Sequence, residues 1–190
     1  MIRNIFSTYI YTGECNVDLN VFKKKILDTR KKNKKGTVLS NKGGWQSQLF
    51  VKPNKYNKEI FKIITRFISE IIKVLKFNKD LKLKGYWYNI NKKCSFNAPH
   101  THAANNIIIS GVLYIETPKD CGNLVFNRND PLSSLLYDKK VDDFNEYTSS
   151  NFTIIPKENF FVLFSSGLEH YVQPNLSNQE RISISFNYGF

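Results

Sequence analysis

Between residues 54 and 77 the chain reads NKYNKEIFKIITRFISEIIKVLKF. Ile60, Phe61, Ile64, Phe67, Ile68, Ile71, Val74 and Leu75 recur there at helical spacing, with lysines opposite. The pattern predicts an amphipathic helix over 54–77 that packs on a sheet. A second helix is predicted from Asp18, a good N-cap, where Leu19, Phe22 and Ile26 keep the same period through LNVFKKKILDTRK. Ahead of it, IFSTYIYTG (5–13) is β-branched and aromatic and ends in glycine, which marks a first strand. The stretch 31–50, KKNKKGTVLSNKGGWQSQLF, reads as a loop with glycines at 36, 43 and 44.

From residue 81 the texture changes to short alternating or apolar runs. Strands are predicted at 82–91, 98–103, 107–116, 122–126, 151–155, 159–164, 168–174 and 180–188. Many short strands separated by turns imply a sandwich, jelly roll or barrel. The polar, weakly patterned segment 127–150 lies between them; long loops of this kind often serve as lids, with 138–146 (DKKVDDFNE) as the part that would close. No repeat or linker breaks the chain. The expectation is one mainly β domain over 1–190, with a strand and two flanking helices in about 1–77 and the β body in about 81–190.

Composition changes this picture little. Hydrophobic residues make up 41% of the 190 positions, enough for a sizeable core. No run approaches the roughly 18 apolar residues of a membrane span. The start, MIRNIFSTYIYTGEC, lacks the apolar core and cleavage site of a signal peptide, so a cytoplasmic protein without a membrane partner is expected. Cys15, Cys94 and Cys121 are odd in number and widely spaced, as isolated reduced thiols are.

The formal charge of +12 is the outlier. It fits nucleic acid or another polyanion. It also fits an AT-rich genome, because the excess is mainly lysine and is accompanied by many asparagines.

The chain has three histidines, and two of them, His100 and His102, stand one residue apart in FNAPHTHAANN. In an extended chain residues i and i+2 point the same way, so both rings would reach one point. The pair reads either as two solvated loop histidines or as two metal ligands. The third, His170, follows an apolar run and a Ser-Ser-Gly turn, and Arg181 comes eleven residues later. In RISISFN, Ile182, Ile184 and Phe186 face one way, while Arg181, Ser183, Ser185 and Asn187 face the other. An arginine in a row of hydroxyl and amide groups suits a carboxylate ligand; it is also what a strand with a polar outer face looks like. A His-x-ligand pair with one distant histidine is the order of the facial triad in non-haem Fe(II) oxygenases.

Across about residue 37 to the C-terminus the chain resembles the 2-oxoglutarate/Fe(II)-dependent oxygenases of bacteria and phages, a prolyl-hydroxylase-like group. The segments that carry the resemblance are SNKGGWQS (40–47), WYNI (87–90), HTHAANNIIISGVLYIETP (100–118), GNLVF (122–126), LFSSGLEHYVQPN (163–175) and RISISFN (181–187). It implies a double-stranded β-helix, a distorted, cupin-like jelly roll, with the two N-terminal helices packed on the sheet. It implies Fe(II), 2-oxoglutarate and O2 as cofactors, and hydroxylation of a substrate C–H bond with decarboxylation of 2-oxoglutarate to succinate.

Carried onto this chain, the metal ligands are His100, His102 and His170. The wider superfamily usually has Asp or Glu at the place of His102, and a three-histidine site is chemically reasonable for Fe(II). Arg181 is implied as the 2-oxoglutarate anchor with Ser183, and Tyr88 or Asn89 as part of the co-substrate pocket. No catalytic residue beyond the metal ligands is implied, and the substrate is open: a protein side chain, a small molecule or a nucleobase. Glu169 is expected to face away from the metal, and Trp45 to be structural. Phage-encoded members would act in the host cytoplasm. The other readings are a β-helix protein that keeps metal but not oxygenase activity, and a basic nucleic-acid-binding module. The last ranks lowest, because the lysines fall on predicted helices and the aromatics in apolar strands.

Overall fold

The computed structural model describes residues 8–103, 106–128, 145 and 147–190. Eleven strands and two helices follow one another in the described chain as β1 (Ile10–Glu14), α1 (Leu19–Lys32), β2 (Asn41–Lys42), β3 (Trp45–Gln46), α2 (Lys58–Leu75), β4 (Lys82–Asn91), β5 (Phe96–His100), β6 (Ile107–Glu116), β7 (Leu124–Asn127), β8 (Asn151–Ile154), β9 (Phe160–Ser165), β10 (His170–Val172) and β11 (Arg181–Gly189). They form two antiparallel sheets. One has six strands in the order β1-β9-β6-β11-β4-β3, and the other has five in the order β2-β5-β10-β7-β8. This is the mainly β jelly-roll architecture with two N-terminal helices that the sequence predicts.

Both helices form for reasons visible in their residues. The Asp18 carboxylate accepts the Asn20 backbone N–H at 3.0 Å, capping α1, and Phe22 and Ile26 carry its buried face. Arg30, Lys31 and Lys32 occupy its last turn, where cations oppose the negative end of the helix dipole. The stripe of α2 buries Ile60, Phe61, Ile64, Ile68, Ile71 and Ile72. Lys76 ends that helix in a left-handed conformation, its N–H returning to the carbonyls of Ile72 and Lys73.

The six-stranded sheet separates two apolar regions. Toward the helices it presents Tyr86, Tyr88, Ile90, Ile182, Ile184, Phe186 and Tyr188, which join the α1 and α2 side chains in the main core. Toward the second sheet, Tyr114, Leu124, Phe126, Val162 and Phe164 form a smaller cluster. The strand alternation of β11 is thus used on both sides, with Ile182, Ile184 and Phe186 in the core and Arg181, Ser183, Ser185 and Asn187 lining a cavity between the sheets.

Several boundaries differ from expectation. The strand expected at 5–13 is Ile10–Glu14, and residues 1–7 lie outside the described ones. The expected loop 31–50 begins as the last turn of α1 and then holds β2 and β3, two-residue strands whose pairing to β5 and β4 is decided by distant partners. Predicted strands 98–103 and 168–174 shorten and shift to Phe96–His100 and His170–Val172. The proposed lid, 138–146, lies outside the described residues except for Asn145. Among the described residues no helix is long and apolar enough to cross a membrane.

Candidate metal centre

His100 closes β5 and His170 opens β10, and the two are register partners where those strands pair. His102 lies two residues beyond the end of β5, where its backbone N–H is held by the Ser166 carbonyl at 2.8 Å. The three imidazoles converge: their ligand nitrogens all lie within 4.8 Å of one another. Ring centroids are 4.9 Å apart for His100 and His102, 4.4 Å for His100 and His170, and 5.1 Å for His102 and His170.

The backbone also sets the tautomers. His100 Nδ1 is 2.8 Å from the Ala98 carbonyl and His170 Nδ1 is 2.9 Å from that of Leu168. A carbonyl only accepts, so both Nδ1 atoms carry hydrogen and both Nε2 atoms keep the lone pair a cation needs, that of His100 standing 3.5 Å from the Ser40 hydroxyl. Burial lowers the pKa of all three rings, to about 3 for His102 and about 4 for His170, with the neighbouring imidazoles adding to the effect at His102. Neutral imidazoles fixed by carbonyls suit a divalent transition metal. Glu169 is not part of the group; its carboxylate accepts from Asn127 Nδ2 at 2.7 Å.

Beside the histidines opens a cavity of about 500 Å³. On its wall is Arg181, only 3% exposed. Its Nη1 donates to the carbonyls of Cys121 at 3.3 Å and Gly122 at 3.1 Å, while Nε has no partner. Among the described residues no acid pairs with this guanidinium, and burial pulls its pKa down. An unpaired buried cation is costly, and a carboxylate ligand would relieve it. Ser183 follows on the same strand face and is register partner of both Asn89 on β4 and Tyr114 on β6.

Asn89 lines the cavity; its Nδ2 donates to Ser185 Oγ at 2.9 Å and its buried Oδ1 has no partner. Tyr88 does not line it. Strand alternation turns Tyr88 to the other face of β4, where its hydroxyl accepts from Asn57 Nδ2 at 3.2 Å and its ring lies 5.3 Å from that of Phe50. The residue that supplies a phenol to the cavity is Tyr114. It is buried; burial raises its pKa and the nearby Arg181 cation opposes the rise. Its signal in the sequence was weak, because Tyr114 sits inside the apolar run SGVLYIE and reads as an ordinary core aromatic. Trp45 is structural, its ring buried in the main core and its Nε1 donating to the Asn33 carbonyl at 2.8 Å. Cys15, Cys94 and Cys121 are free thiols.

Residues 85–187 match the family model described as "Putative 2OG-Fe(II) oxygenase". Among solved structures, a prolyl-4-hydroxylase of Pseudomonas putida superposes with a TM-score of 0.65 at 15% identity, over 95% of this chain and 91% of that one. The 2OG complex of a viral collagen prolyl hydroxylase from Paramecium Bursaria Chlorella virus-1 gives 0.64 at 13% identity, over 96% and 97%. HygX from Streptomyces hygroscopicus, with nickel and 2-oxoglutarate bound, gives 0.58 at 12% identity, over 96% and 82%. No curated protein matches. At these identities the structural likeness is one of fold.

Proposed function

This chain belongs to the 2OG-Fe(II) oxygenase family, whose cofactors are Fe(II), 2-oxoglutarate and O2, and on that premise we propose that it hydroxylates a C–H bond of its substrate while converting 2-oxoglutarate to succinate. The observation that carries this reading is the buried Arg181 guanidinium, without an acidic partner among the described residues, in the same cavity as three convergent neutral imidazoles.

His100, His102 and His170 are assigned as the metal ligands through their ring nitrogens. Arg181 and Ser183 hold the remote carboxylate of 2-oxoglutarate, the guanidinium through a charge-assisted pair and the serine through its hydroxyl. Tyr114 donates a further hydrogen bond to that carboxylate, a role its raised pKa favours by keeping the phenol protonated. Asn89, with its unpartnered Oδ1, accepts from a water held beside the ligand. Val112, Leu124, Phe164 and Val172 line the same cavity and exclude water from these charged contacts. With the cofactors bound, the iron would supply the redox chemistry by which O2, the oxidant, gives one atom to the succinate formed from 2-oxoglutarate with loss of CO2 and the other to the substrate C–H bond.

Anaerobic titration of the Fe(II)-loaded protein with 2-oxoglutarate tests the assignment, followed by the visible metal-to-ligand charge-transfer absorption. The reading requires a saturable band in the wild type that needs far more 2-oxoglutarate in Arg181→Ala. Bound iron with no band at any 2-oxoglutarate concentration would replace it with a metal-binding protein lacking oxygenase activity.

A further inference from the structure

The positive charge is not spread along the chain. Residues 18–58 hold twelve lysines and arginines against two acids, whereas residues 59–190 hold fifteen against thirteen. Residues 59–93 account for nine of those bases against three of the acids, so the excess lies in the first half of the chain and residues 18–58 are its densest part.

In the fold, the basic segment is α1, β2, β3 and the chain leading to α2. It walls a second cleft of about 370 Å³ whose lining includes Lys25, Lys32 and Lys52 and no acid; Trp45 and Tyr86 at its floor are buried in the main core, and Phe50 is half-buried. Among the described residues none of these three lysines forms an ion pair. Lys25 and Lys32 stand two turns apart on one side of α1, about 10 Å along its axis.

The cleft and the metal-site cavity are neighbours. Strand β3 is the edge of the six-stranded sheet, and alternation sends Trp45 into the cleft and Gln46 into the cavity; Ser47 lines both, then Leu49 the cavity and Phe50 the cleft. A chain lying on the basic face therefore reaches the cavity by rounding one strand.

The two spaces differ in charge. The described lining of the metal-site cavity holds one permanently charged side chain, Arg181, which the oxygenase reading reserves for 2-oxoglutarate. The rest is amide, hydroxyl, aromatic and aliphatic, with Gln46, Asn89 and Asn187 among the amides and a Ser110–Asn187 hydrogen bond of 2.8 Å. The group that enters is thus uncharged and hydrogen-bonding, while the molecule that carries it is a polyanion. A nucleobase on a phosphodiester chain has that division of chemistry: carboxamides match the edges of an unstacked base, and lysines match the phosphates of a single-stranded backbone. An acidic protein would match the lysines but not the row of amides.

We propose that residues 18–58 dock single-stranded nucleic acid, with phosphates on Lys25, Lys32 and Lys52 and a base presented to the metal-site cavity. The substrate class this gives rests on the oxygenase reading. The docking test needs neither iron nor 2-oxoglutarate, so its failure leaves that reading standing, and failure of the 2-oxoglutarate titration leaves the docking result intact.

The test is fluorescence anisotropy of a labelled single-stranded oligonucleotide with the full chain across a salt series. Variants are Lys25→Gln/Lys32→Gln/Lys52→Gln and a control, Lys73→Gln/Lys79→Gln/Lys82→Gln, which removes equal charge from exposed lysines elsewhere. The proposal expects salt-sensitive binding that the first variant weakens by about tenfold or more, lowering the slope of log K against log salt by about 2, while the control stays within about twofold. An abasic strand of equal length should bind at least about tenfold more weakly, because the contacts of a base with the amides of the cavity are lost. No binding, equal loss in the control, equal affinity for the abasic strand, or equal competition by polyglutamate or by AMP would each overturn it. Competition by polyglutamate would point to an acidic protein instead, and competition by AMP to a free nucleotide.

Discussion

His100 and His170 face each other as register partners across the β5–β10 pairing, each with its Nδ1 on the carbonyl two residues earlier in its own chain. The sheet thus fixes the ring separation and the backbone fixes the tautomers. The pair is preorganised by elements that fold for reasons unrelated to the metal.

That preorganisation predicts the order of damage on removing ligands. His100→Ala or His170→Ala should weaken Co(II) binding, a spectroscopic stand-in for Fe(II), by more than about 100-fold, since even outer partners of metal ligands are worth 10–100-fold. His102→Ala should also weaken it, because no other described His, Cys, Asp or Glu joins the group. Isothermal titration of the metal-free protein with Co(II) reads the affinities directly, and unchanged affinity in His102→Ala would leave the site with two protein ligands.

Arg181 predicts a separation of stability from ligand binding. In the ligand-free chain its buried charge has no acidic partner among the described residues, and two backbone carbonyls accept from it. Removing an uncompensated buried charge offsets the loss of those two bonds. Arg181→Met should therefore melt no lower than wild type without ligand. In wild type, 2-oxoglutarate with metal should raise the melting temperature, by about 2.7 kcal/mol of stability at 100 times Kd. That gain should vanish in Arg181→Met, with the 2-oxoglutarate affinity down about 100-fold or more. Tyr114→Phe should lose about tenfold, the scale of one hydrogen bond to a charged group. A thermal melt series against 2-oxoglutarate measures all three.

The parts of the site legible in the sequence are those whose strands alternate cleanly. In β11 the polar and apolar residues take turns, so the placement of Arg181 and Ser183 together on one face follows from spacing alone. β4 runs Tyr86, Trp87, Tyr88, Asn89, Ile90, Asn91, with aromatics on both faces, and nothing local says whether Tyr88 or Asn89 faces the cavity. Parity there is settled by the helices, which bury Tyr86, Tyr88 and Ile90. Tyr114 was hidden for a related reason, as both faces of β6 are apolar. β2 and β3 are too short to leave a pattern, and they exist because β5 and β4 supply partners.

Gly122 ties the turn before β7 to the Arg181 guanidinium. Its φ is +84°, and a Cβ there would lie 2.2 Å from the Gln173 carbonyl oxygen, while its own carbonyl accepts from Arg181. Gly122→Ala should cost about 1–3 kcal/mol for the left-handed backbone, more once the clash moves the turn. Because the turn also positions the guanidinium, KM for 2-oxoglutarate should rise with it, which a purely structural glycine would not produce. Denaturant titration and succinate formation measured on the same preparation separate the two effects.

Asn175 holds the far side of the same region. It is fully buried, and its Nδ2 donates to the carbonyls of Asn91 and Gln179 at 2.8 Å each, joining the end of β4 to the chain entering β11. Asn175→Ala leaves those carbonyls without that donor, at about 1–3 kcal/mol for each one left unsatisfied. The denaturation midpoint should fall with little change in slope, and a fall below 1 kcal/mol (an order-of-magnitude threshold, about the net value of one hydrogen bond) would mean that water replaces the amide.

The buried imidazoles predict how the metal-free protein responds to acid. In the unfolded chain a histidine takes its proton near pH 6.5, but in the fold burial delays protonation to about 4 for His170 and about 3 for His102. Between those values the unfolded state binds more protons than the native state, so stability is fully present above about 6.5 and is lost as pH falls through the window. The melting temperature of the metal-free chain should drop between pH 7 and 5, a range mostly above that of ordinary carboxylates. His102→Gln/His170→Gln should flatten that drop. A divalent cation should oppose it in the wild type, since metal and proton compete for the same nitrogens. Melts of wild type and double variant at pH 5, 6 and 7 (about the span between an ordinary carboxylate and a neutral imidazole), with and without Co(II), decide the matter. Parallel curves for the two metal-free proteins would place the acid sensitivity elsewhere in the fold.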